Sequence, residues 1–133
     1  MLKTLIAALL AVGTMIGGMG VSDAKAGDGY AHHVVFHVDD KDAARMNLAL
    51  NNAANVTKFY AAKGEKVQIE IVTYGPGLHM LRADTSPVKD RLKNYAPSFP
   101  NVTFAACGNT IKGMTKKEGK APTLIESDSI SVV

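Results

Sequence analysis

Apolar residues follow two rhythms along this chain, and turn-forming residues mark the places where one gives way to the other. Residues 33–38 are a compact apolar run rich in β-branched side chains, closed by Asp39-Asp40, and read as a buried strand. Residues 42–63 then carry Ala, Leu, Met and Asn with no Gly or Pro, so they predict a helix with Asp42 as N-cap and Gly64 as C-cap. On it, Met46, Leu50, Ala53 and Ala54 are expected to supply the core side. Residues 67–74 predict a second strand, stopped by Gly75-Pro76-Gly77 and followed by a short helical stretch over 78–83. Ser86-Pro87 pairs an N-cap with a proline at the first helical position, which predicts a helix over 86–95 ended by Pro97 and Pro100. Residues 102–106 suit a third strand, Gly108-Asn109-Thr110 open a short basic helix, and residues 130–133 suit a fourth strand.

Strand and helix in regular alternation predict an α/β fold: a three-layer, open, mostly parallel sheet with helices on both faces. In such sheets ligands gather at the carboxyl ends of the strands. Those ends are Asp39-Asp40, Gly75-Pro76-Gly77 and Cys107-Gly108.

The first residues change the picture of where the chain works. Lys3 followed by an apolar run too short and too glycine-broken to span a bilayer, then Ala24-Lys25-Ala26, reads as a secretory signal peptide over 1–26 with cleavage before Gly27. The expected mature domain is 27–133, periplasmic or secreted. Losing Lys3, Lys25 and Asp23 leaves 13 basic and 11 acidic residues over 107, a balance that gives no field for nucleic acid and no membrane attachment after cleavage.

Cys107 is the single cysteine, so no intrachain disulfide is possible. It closes an apolar strand and stands directly before a helix start, where unpaired N–H groups and the positive end of the helix dipole favour a thiolate. Two readings stay open for it: a reactive thiol, or a small apolar side chain packed in the core. His33 and His37 lie four residues apart on one strand face, about 13 Å, too far to share one ion, and no metal is expected. Gly75-Pro76-Gly77 lacks the spacing of a phosphate-binding loop and reads as a tight turn that lets backbone approach the site. Asn47, Asn51 and Asn55 recur every four residues, a hydrogen-bonding line that reads as a subunit interface or, by preference, as the solvated face of its helix.

Taken in order, HHVVFHV, NLALNNAANV, VQIEIVTYGPGLHML, SPV and VTFAACGNTIKGM resemble the DsrE/DsrF-like sulfur-relay family, and its small exported members in particular, over residues 31–114. The resemblance implies a small α/β domain that assembles into trimers or hexamers, and a cysteine that carries persulfide sulfur between partner proteins. Cys107 stands where that cysteine is expected. Members similar to this chain continue after the strand matching 130–133 with another helix and a final aromatic-containing segment, so the resemblance implies either a domain shortened at its C-terminus or a chain that is a fragment.

Two functions follow. One is a sulfur carrier or thiol-exchange protein in which Cys107 takes up sulfane sulfur, Gly108, Asn109 and Thr110 stabilise its thiolate, and Asp39, Gly75, Pro76, Gly77 and His79 line the site, with no cofactor. The other is a non-catalytic oligomeric binding or assembly module with a packed cysteine. A turnover enzyme ranks third, because no second nucleophile or base is evident.

Overall fold

A computed structural model describes residues 29–133. The expected signal peptide and its cleavage site lie outside the described residues. Four strands, β1 (His32–Val38), β2 (Val67–Thr73), β3 (Val102–Ala106) and β4 (Ile130–Val132), form one sheet in the order β1-β2-β3-β4, every neighbouring pair parallel. Between them run α1 (Ala43–Ala61), a 3₁₀ segment (Gly75–Leu81) with α2 (Lys89–Ser98), and α3 (Gly108–Glu118). The expected α/β open parallel sheet is therefore the observed one.

Helices gather on one face of this sheet rather than two. The register aligns Val34, Ile69 and Val102, then Phe36, Ile71, Phe104 and Ile130, then Val38, Thr73 and Ala106. Every sheet residue of the hydrophobic core belongs to this set of rows or to Val67 beside it. Met46, Leu50 and Ala53 of α1 and Leu92 and Tyr95 of α2 pack there, and Ile111 and Met114 of α3 lie against the same cluster. The cause is the strand order: it advances in one direction, so right-handed connections deliver each helix to the same side. On the other face His33, Val35 and His37 are exposed, Val35 to 54%, which corrects the expectation that β1 is buried on both sides. β1 is an edge strand of the described sheet.

Local signals explain most boundaries. Asp42 accepts the Arg45 N–H at 3.0 Å and caps α1, and Gly64 takes φ +71° just beyond its end. The 78–83 helical stretch is a 3₁₀ turn that begins earlier, at Gly75, because Pro76 lacks an N–H and Gly75 adopts φ +50°. Ser86 behaves differently from the expectation. Its hydroxyl donates to the Met80 carbonyl (2.6 Å) and accepts the Val88 N–H (3.3 Å), so it closes a turn and α2 starts only at Lys89. α2 passes through Pro97 to Ser98; Pro97 sits in the last turn, where little helix remains to be disrupted.

Asn51 and Asn55 of the asparagine line are exposed, as a solvated face requires, but Asn47 and Asn51 also meet a neighbouring helix. Arg91 of α2 donates to Asn47 Oδ1 (2.6 Å), to the Asn47 carbonyl (3.3 Å) and to Asn51 Oδ1 (2.6 Å), tying α2 to α1. Beneath it the Tyr95 hydroxyl donates to the Leu50 carbonyl at 2.7 Å.

Candidate functional site

β3 ends in Ala105 and Ala106, both fully buried, and the chain leaves the sheet at Cys107. The Cys107 N–H donates to the Thr73 carbonyl of β2 (3.0 Å), and its own carbonyl accepts the Ile111 N–H (3.0 Å), the first hydrogen bond of α3. Cys107 is thus the N-cap of α3, with extended backbone (φ −64°, ψ 113°), and its side chain is half-buried. An N-cap side chain faces the N–H groups of the second and third helical residues, here Asn109 and Thr110. The Thr110 hydroxyl, and after it the Thr110 and Asn109 N–H groups, hold the thiol below its ordinary pKa despite partial burial.

Thr110 also joins the site to the glycine turn. Its Oγ1 accepts the Gly75 N–H at 2.9 Å, which occupies a lone pair and leaves the hydroxyl proton uncommitted. Gly77 sits against β1: a Cβ there would lie 1.9 Å from the Val38 carbonyl oxygen, so only glycine fits. The Gly108 N–H is taken by the Val133 carbonyl (2.8 Å), so it serves the strand end and not the sulfur.

The expected lining residues divide accordingly. Gly75, Asn109 and Thr110 converge on Cys107, with Gly108 in the turn and Pro76 and Gly77 shaping the backbone beside it. Asp39 does not join them: it ends β1, two strands away from β3, about 9–10 Å in backbone terms, in a shallow cleft with His37, Asp40 and Arg45. His79 Nδ1 pairs with Thr85 Oγ1 (2.7 Å), and His79 neighbours Glu118 at the far end of α3, about 16 Å of helix from Cys107.

At that far end lies a group the sequence reading passed over. The Arg82 side chain is 5% exposed and forks onto Asp84 (2.9 and 2.7 Å) and Glu118 (2.6 and 3.0 Å), with Met114 Sδ at 3.7 Å. These partners hold Arg82 firmly protonated, push Asp84 down to about 2 and lower Glu118. The signal available in sequence was an arginine closing the apolar run 78–81, two residues before an aspartate.

No family model matches the chain, and no curated protein matches it. Among solved structures it is similar to a protein of unknown function, MTH1491, from Methanobacterium thermoautotrophicum. The identity is 31%, the TM-score 0.59, and the alignment covers 77% of this chain and 81% of that one.

Proposed function

We propose, for a chain that belongs to the same family as the archaeal protein MTH1491, that it is an exported sulfur carrier whose Cys107 thiolate holds sulfane sulfur. The observation that carries this reading is the placement of the single cysteine at the N-cap position of α3, where its side chain makes no capping hydrogen bond of its own and the nearby Thr110 and Asn109 donors lower its pKa. The resemblance of residues 31–114 to the DsrE/DsrF-like sulfur-relay family supports it. In the reaction the thiolate attacks the outer sulfur of a hydropersulfide donor, RS–SH. A Cys107 S–S bond forms, the donor S–S bond breaks, and the donor leaves as RS⁻; Cys107 is oxidised and the donor reduced. Transfer to an acceptor thiolate reverses these roles, and no cofactor enters. The carrier works as a homo-oligomer, trimer or hexamer, and meets donor and acceptor proteins at the strand ends.

The test is intact mass after exposure to inorganic polysulfide. Wild type should gain sulfur atoms that reductant removes, and Cys107→Ser should gain none. Sulfur added equally to the Ser variant, or a native thiol that resists alkylation until the protein unfolds, overturns the carrier and favours the assembly module with a packed cysteine.

A further inference from the structure

We infer that the groove between α1 and α2 is a binding site for a small oxyanion, a phosphate or carboxylate group, held by Arg91, Lys58, Asn51 and Asn55. The groove has a volume of about 450 Å³, and Asn94, Ser98, Tyr95 and Phe99 complete its walls. No carboxylate is among its lining residues, although two cations are.

Arg91 is the reason to expect a ligand. Arg82, the other arginine that ties elements together, is neutralised by two carboxylates. Arg91 is pinned just as closely, but by the neutral carbonyl oxygens of Asn47 and Asn51, and it has no ion-pair partner among the described residues. Its direction is fixed while its charge is left uncompensated, and further guanidinium N–H donors stay available in the planar fork that suits a phosphate or carboxylate. The positive potential reaches inward: Arg91 works against the desolvation that pushes Tyr95 up to about 12. Asn51, also in the groove lining, uses its oxygen on Arg91, which leaves its amide nitrogen as an uncommitted donor. Asn55 and Lys58, one turn along α1, add an uncommitted carboxamide and an ammonium. The asparagine line is thus explained as one wall of a donor-rich slot. The site is separate from Cys107, and its fate does not depend on the sulfur-carrier reading.

Inorganic phosphate titrated into the isotopically labelled protein, at ionic strength held constant with sodium chloride, tests the inference by the side-chain N–H resonances of Arg91, Asn51 and Asn55. The expected result is a saturable shift of those resonances with a dissociation constant on the order of millimolar. Arg91→Gln, which keeps a hydrogen-bonding side chain but removes the charge, should weaken it roughly tenfold. Lys58→Met, on an exposed helix position that leaves the α1–α2 tie intact, should weaken it roughly threefold and serves alone if the Arg91 variant does not fold. Shifts that do not saturate, that spread equally over Lys112, Lys116 and Lys117, or that persist unchanged in Lys58→Met overturn the site.

Discussion

At its first turn α3 turns Asn109 and Thr110 donors toward a half-exposed sulfur; at its last turn the same helix gives Glu118 to a guanidinium that is only 5% exposed. The first arrangement follows the helix dipole, since an anion at an N-terminus meets unpaired N–H groups. The second opposes it. Glu118 sits at the negative end, beside Lys116 and Lys117 that suit that end better, and it is held there by Arg82. α3 has no fully buried residue, only Ile111 and Met114 half-buried against the core, so its polar ties at the two ends add to a thinner apolar anchor than that of α1. The difference teaches what each end is built for. A charge left half-exposed, with donors and no counter-ion, can appear and disappear as a reagent does; a charge enclosed between two carboxylates is fixed and serves the fold.

The largest expected effect breaks the enclosed end. Substituting Asp84→Ala together with Glu118→Ala removes both counter-charges from the enclosed Arg82 guanidinium, and should give the largest loss of stability of the variants considered. Arg82→Met should cost less, because the carboxylates it abandons are reached by solvent and methionine refills part of the space. Urea unfolding of both variants checks the order. A double variant no less stable than Arg82→Met would mean that the guanidinium hydrates in place and that the clamp is not a dry one.

Acid should sharpen the same contrast. Asp84 is depressed to about 2 and Glu118 is lowered, so their pairing stabilises the fold fully above the unfolded carboxylate value of about 4 and is lost as pH falls toward about 2. The stability difference between wild type and Arg82→Met should therefore shrink between pH 4 and pH 2. A difference that stays constant across that window would show the clamp's worth to be packing and not charge.

Much of this frame was open to reading before the fold was known, and the reason is chemical punctuation. Asp42, Gly64, Gly75 and the Cys107-Gly108 step each interrupt a periodic run with a residue whose backbone role is specific, so elements and their order could be assigned. What stayed hidden depends on partners distant in sequence. Arg91 reaches residues 44 and 40 positions away, and Arg82 reaches Glu118 across 36, and no local pattern announces either. β1 looked buried because Val34, Val35 and Phe36 are consecutive, yet the helices cover only one face of the sheet, which leaves alternate residues exposed. At the site, local register sufficed for Asn109 and Thr110, which follow the N-cap in sequence. It failed for Asp39 and His79, whose approach to Cys107 was a matter of strand spacing and helix length.

The smallest expected effect lies at the open end and concerns stability at alkaline pH. The Cys107 thiol is lowered in the folded protein, so its ionised form stabilises the fold fully above the ordinary thiol value of about 8.5, and this contribution disappears as pH falls through the lowered folded value. Serine keeps the size and does not ionise. The curve for wild type should then rise relative to Cys107→Ser between neutral pH and about pH 9, measured under reductant to prevent disulfides between chains. Thr110→Val, which loses the hydroxyl while keeping the shape, should flatten that rise and move the pH profile of thiol alkylation upward; Thr110→Ser should leave both near wild type. Carboxylate pairing at the other end is complete over this whole range, so the clamp contributes a constant that cancels in the comparison. Parallel curves for wild type and Cys107→Ser would mean that the donors at the start of α3 do not favour the thiolate, and the two ends of the helix would then differ only in burial.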